Sequence, residues 1–160
     1  MSKKVFRFYN GKFSPPTLGY TMSPTACEKL PAVERTLNFS LTELDEKTKE
    51  AFADNIVIQE KVLESIKNRN EKHHYRCGLI RLTTGKGKSH IILDVTNYYQ
   101  TNTLILVHNV KTLSEMREKF VKFSNIRPAI YGGEKKETGA ITIMTKKSFT
   151  LDHDKIKENF

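Results

Sequence analysis

Residues 81–95 read RLTTGKGKSHIILDV, and the order of these side chains decides the fold. A short apolar stretch, CGLIRLT (77–83), runs into a loop with two glycines, and Ile91, Ile92, Val95 and Tyr99 follow at helical spacing. The segment LTTGKGKS (82–89) matches the x-x-x-x-G-K-[ST] part of the phosphate-loop pattern, with Leu82 where that pattern has its first glycine. Gly85 and Gly87 let the backbone curl, so that successive N–H groups from Thr84 through Lys86 to Gly87 turn inward toward phosphate oxygens. Lys88 supplies a point charge for the β and γ phosphates. The Ser89 hydroxyl can ligate Mg²⁺ at the start of a helix whose positive end faces the anion. A glycine-lysine turn without a ligand is the plain alternative, and the flanking strand and helix weigh against it.

Working outward, TLILVHN (103–109) reads as a buried strand. The segment TLSEMREKFVKF (112–123) reads as a helix with a capping box at Thr112 and Glu115 and an inward stripe of Leu113, Met116, Phe120 and Phe123. Two more strands, RPAIYGG (127–133) and AITIMT (140–145), are separated by the polar turn EKKETG. Upstream, SLTELDEKTKEAF (40–52) predicts a helix capped by Ser40 and Glu43. NIVIQEKVLESIKNRN (55–70) predicts a second, with Ile58, Val62 and Ile66 on one face and a charged loop, NRNEKHH, after it. At the N-terminus the aromatic-rich KVFRFYNGKF predicts a hairpin turning at Asn10-Gly11, followed by irregular chain holding Pro15, Pro16, Pro24 and Pro31. The alternation of strands and helices implies an α/β fold: a mostly parallel sheet flanked by helices, in the manner of a P-loop NTPase, with a small N-terminal β-hairpin appendage.

The chain of 160 residues is long enough for one core and an appendage. We expect residues 1–39 to form an accessory segment and residues 40–160 the nucleotide-loop domain. No apolar run approaches a membrane span, and the basic N-terminus is not followed by a secretory apolar stretch, so a cytoplasmic protein is expected. Cys27 and Cys77 show neither disulfide nor zinc-ribbon spacing, and HHYRC (73–77) reads as a polar loop. The formal charge of +9 is uneven, with 13 basic and 10 acidic side chains in residues 1–76 against 14 and 8 in the remainder. A basic excess around the glycine loop suits a polyanionic partner, and it also suits a plain solvated surface.

With the loop in place, the chain over roughly residues 55–151 resembles the N-terminal part of the first RecA-like domain of superfamily 2 helicases and translocases. Its style is that of the DEAH, type III restriction and phage recombination branches. The resemblance implies ATP and Mg²⁺ as cofactors, and DNA or RNA as partner. It makes Gln59, in VIQEKVLESI, the glutamine that senses the adenine base; read alone, it is equally a solvent-facing helix residue. TLILVHNVKTLSEM is similar to the motif Ia region, which puts His108, Asn109 and Thr112 against a nucleic-acid backbone. AIYGGEKKETGAITIMTKKSF is similar to the stretch from the glycine turn to the end of motif Ic, which assigns the same role to Gly132, Gly133 and Thr145. The chain departs from the family pattern at Leu82 and Lys86, and no proline-threonine pair precedes Gln59.

Hydrolysis needs an acidic pair after an apolar strand to hold Mg²⁺ and activate water. The sequence offers Asp152 and Asp154, read as a solvated turn, and Asp94, which lies inside the loop helix. The expectation is a segment that grips a nucleotide without cutting it unaided, completed by a missing C-terminal helicase half or a complementing subunit. The RecA-like sheet is accordingly expected to be incomplete toward the C-terminus. The alternative is a non-enzymatic nucleic-acid-binding module with a degenerate phosphate loop; a small P-loop kinase is disfavoured because no lid-like arginine cluster follows the loop.

Overall fold

The computed structural model describes residues 7–9, 12–14, 35–73 and 79–156. They fall into two compact units, one drawn from residues 1–32 and 44–91, the other from 33–43 and 92–160.

In the first unit, β1 (Arg7–Tyr9) and β2 (Lys12–Ser14) pair antiparallel with Tyr9 opposite Lys12. The expected hairpin is therefore present, although its Asn10-Gly11 turn lies outside the described residues. Beside it, β3 (Leu79–Arg81) pairs parallel with β1, Phe8 standing opposite Ile80. The strand that feeds the glycine loop thus takes the hairpin as its neighbour. Helix α1 (Glu46–Ala51) starts later than the Ser40 cap predicts: Asp45 is its N-cap, accepting from the Thr48 N–H at 2.8 Å. Helix α2 (Ala53–His73) contains Gln59, buries Val62, and continues through most of the stretch read as a charged loop. Lysines and glutamates have good helix propensity, so charge alone does not end a helix.

Helix α3 (Lys88–Tyr99) begins on the loop lysine itself. Its best-covered residues are Ile91, Leu93 and Thr96, whereas Ile92, Val95 and Tyr99 are only partly buried.

The second unit is built on a four-stranded sheet in the order β4 (Thr103–Val107), β7 (Ile141–Thr145), β5 (Ala129–Gly132), β6 (Lys135–Lys136). The first three strands run parallel and β6 folds back antiparallel on β5. The mixed α/β fold with a mostly parallel sheet flanked by helices is therefore as expected. Every residue of β7 is buried, which is what a central parallel strand requires. Alternation sends Ile141 and Ile143 into one cluster with Ile105, Val107, Leu113, Met116 and Phe120. It sends Met144 into another with Tyr131 and Ile156.

Helix α4 (Val110–Phe123) packs Leu113, Met116 and Phe120 into the first cluster, with Phe123 partly buried against it. Its N-cap is Asn109, whose Oδ1 accepts from the Thr112 N–H at 2.8 Å, so the cap stands three residues before the predicted Thr112. Asparagine is as good a cap as threonine, and Asn109 with its extended backbone takes the position. Helix α5 (Lys146–Ile156) replaces the turn read from FTLDHD. Asp152 in this helix accepts from Lys136 at 2.9 Å and from Lys155 at 2.7 Å, tying it to the β5–β6 hairpin.

Residues 36–42 are an extended strap rather than the start of a helix. The Gln100 carbonyl accepts from the N–H groups of Thr36 and Leu37, and its side-chain amide exchanges two hydrogen bonds with the backbone of Phe39, at 2.9 and 2.6 Å. Asn125 does the same for Ser40 and Asn38. Phe39 is buried and meets Phe120 with ring centroids 5.8 Å apart. Gln100 holds φ 54, a left-handed conformation just past the end of α3 where the chain turns back to meet the strap.

Candidate nucleotide and nucleic-acid sites

The loop between β3 and α3 lies in the first unit with α2 beside it. Gly85 and Gly87 hold φ 83 and 74, so both glycines that the sequence singles out occupy the left-handed region. Around Gly85 there is open space, whereas a Cβ on Gly87 would collide with the Gln59 side-chain amide. Gln59 is therefore drawn against the glycine loop, a proximity that a glutamine 26 residues upstream of Gly85 does not advertise by spacing. The Lys88 ammonium donates to the carbonyls of Leu82 at 2.9 Å and Thr83 at 3.0 Å, which folds the cation back over its own loop. The Lys86 N–H donates to the Thr83 carbonyl at 3.4 Å. The His90 and Ile91 N–H groups both point back to the Gly87 carbonyl, so the loop passes directly into helix. Ser89 stands in the first turn of α3, and Thr84 is exposed on the loop.

Donor chemistry here fits an anion: a lysine hydrogen-bonded to neutral carbonyl oxygens, and backbone N–H groups at a helix start. Among the described residues there is no group of three or more His, Cys, Asp or Glu side chains able to cage a metal ion. The Ser89 hydroxyl, in the first turn of α3, is the group that would join oxygens of a bound ligand in holding a divalent cation. Asn55 was not singled out from the sequence. It donates from Nδ2 to the Gly85 carbonyl at 3.0 Å, and the signal for it is its place one helical turn before Gln59.

The second group of residues lies in the second unit at the carboxyl ends of the parallel strands, where open α/β sheets bind their ligands. Val107 and Thr145 stand opposite each other at the ends of β4 and β7, and Gly132 closes β5. Gly132 is packed so closely that a Cβ there would come within 2.8 Å of the Thr145 methyl and 3.1 Å of Leu113. Gly133 holds φ 62 in the tight turn to β6 and is exposed. His108 and Asn109 are exposed after β4, and Thr112 is partly covered in the first turn of α4. Thr145 is buried; its hydroxyl accepts from the Ser148 N–H at 3.2 Å and donates to the Ser148 hydroxyl at 3.0 Å, making it the cap of α5. Lys111, Lys146 and Lys147 are exposed in the first turns of the two helices that start at this edge.

Fold and loop together define an α/β protein of the RecA-like, phosphate-loop class. The match to the family model described as type III restriction enzyme, res subunit covers residues 42–160, and the chain belongs to this superfamily 2 helicase-like family. A curated relative is the DNA 3'-5' translocase XPB2 of Sulfurisphaera tokodaii, 28% identical over 106 residues. That alignment takes in 56% of this chain and 24% of the relative, so the chain spans about a quarter of the length of the protein it matches. Among the described residues no helix is long and apolar enough to cross a membrane.

Proposed function

We propose that this chain is the ATP- and nucleic-acid-binding N-terminal segment of a superfamily 2 helicase or translocase acting on DNA or RNA. The observation that carries the reading is the loop itself: two left-handed glycines, and a lysine that donates to loop carbonyls, at the start of a helix. In this reading Lys88 neutralises the β and γ phosphates, and the amides from Thr84 to Gly87 cradle them. Ser89 ligates Mg²⁺, and Gln59 recognises the base. The metal, when bound, offsets the negative charge that builds up on the phosphates.

His108, Asn109, Thr112, Gly132, Gly133 and Thr145 form the proposed nucleic-acid edge. Thr145 acts there by fixing the start of α5, while exposed amides and nearby lysines hold the phosphodiester backbone. Residues 1–39 serve as an accessory segment to the partial RecA-like domain of residues 40–160. Hydrolysis and movement along the strand are the work of a whole cytoplasmic motor, with a C-terminal helicase half or a complementing subunit supplying the acidic pair.

Calorimetric titration of the folded chain with MgATP, alongside Lys88→Ala, tests the reading. The expected result is saturable binding in the wild type that disappears in the variant. Absence of binding at millimolar ATP in a folded wild type would overturn it. If Lys88→Ala instead weakened nucleic-acid binding uniformly while ATP acted only as a competing anion, the chain would be a non-enzymatic nucleic-acid module.

A further inference from the structure

Asn55 makes a contact with the glycine loop for which the nucleotide reading has so far had no use. It sits four residues before Gln59 on α2, so both side chains share one helical face, and its Nδ2 donates to the Gly85 carbonyl at 3.0 Å. The carbonyl and the N–H of a trans peptide point in opposite directions. An oxygen drawn toward α2 therefore turns the N–H of the same peptide, that of Lys86, back into the loop. Its acceptor there is the Thr83 carbonyl at 3.4 Å, a contact longer than a well-formed N–H···O bond. That carbonyl also accepts from the Lys88 ammonium. The Lys86 amide is thus oriented inward but weakly engaged, and an anionic oxygen is the stronger acceptor. Gly85 has open space around it, so the side-chain amide of Asn55 supplies an anchor that packing does not.

We infer that Asn55 is a positioning residue: it fixes the Gly85–Lys86 peptide so that the Lys86 N–H is presented to the phosphate chain of a nucleoside triphosphate. The inference rests on the nucleotide-binding reading and adds to it a residue outside the loop that governs the loop's donor geometry. Asn55→Leu keeps about the same volume and removes the donor without adding charge; Asn55→Ala removes both. Each full-length variant is titrated with MgATP while the Lys86 amide resonance is followed by ¹⁵N NMR.

The expected result for both variants is an ATP affinity lowered about tenfold, the scale of one hydrogen bond to a charged group. It is accompanied by a Lys86 amide that no longer responds to ATP as it does in the wild type. Unchanged affinity in both variants would overturn the inference. So would lowered affinity with an unaltered Lys86 response, because that outcome assigns Asn55 a general structural role. A wild type that binds no ATP would overturn the nucleotide reading first, and the two failures are thereby told apart.

Discussion

Gly85 and Gly87 are alike in sequence and conformation but not in surroundings, and the difference makes opposite demands on a side chain. At Gly85 an added methyl meets nothing within 4 Å, so Gly85→Ala costs only the left-handed backbone strain, about 1 kcal/mol. At Gly87 the same methyl must also displace the Gln59 amide. We expect Gly87→Ala to lower ATP affinity markedly more than Gly85→Ala, measured by calorimetry on the two variants, and Gln59→Ala to relieve part of the Gly87→Ala effect. Equal losses in the two glycine variants would show that Gln59 does not press on the loop. The two left-handed glycines were legible in the sequence because a tight loop between a strand and a helix calls for glycine at such places. Asn55 was not, because its partner is a backbone carbonyl 30 residues away and a lone asparagine in a helix has no pattern of its own.

At the scale of elements, strands and helix stripes were read well where burial imposes a pattern, a short, mostly apolar run in the fully buried β7 and the helical spacing of Leu113, Met116 and Phe120 in α4. Helix starts were read poorly, because several Ser, Thr, Asp and Asn residues compete for each cap and tertiary contacts choose among them. Ser40 loses to Asp45 since the strap around Phe39 is committed to Gln100 and Asn125. Asp152 and Asp154 were read as a solvated turn because paired carboxylates suggest solvent, whereas they lie in α5 and Asp152 there has two lysine partners. Removing the α4 cap with Asn109→Ala should lower stability by about 1 kcal/mol in urea denaturation. Thr145→Val keeps the shape of the α5 cap but strips the buried Ser148 N–H of its acceptor, and should cost about 1–3 kcal/mol. A Thr145→Val protein as stable as wild type would remove Thr145 from the fold and leave ligand contact as its sole role.

The whole molecule should respond to pH in two opposite ways. Burial raises the Asp94 carboxyl from 3.8 to about 6, because the folded state disfavours its charge. Its contribution is fully present below about pH 4 and is lost as pH rises through 6. Asp94→Asn should therefore stabilise the protein at pH 8, by about 1 kcal/mol after allowance for solvent screening of a partly exposed group, and change little at pH 4. Urea denaturation at the two pH values distinguishes this from a pH-independent gain. For Asp152, the hydrogen bonds from Lys155 and Lys136 hold the carboxyl down to about 2. The stability it brings is present above its ordinary 3.8 and is lost as pH falls toward 2, so Asp152→Asn should blunt acid unfolding in that window.

The strap held by Gln100 also fixes where this protein can be cut. Its family match begins at residue 42, yet the backbone that Gln100 and Asn125 grip begins at Thr36, and Phe39 lies within it. A fragment trimmed to the matched boundary would strip the sheet of an aromatic ring and take from the Gln100 and Asn125 side-chain amides the backbone they clasp. The folding unit is wider than the recognisable one, and the six residues between their edges are where a shortened gene would fail.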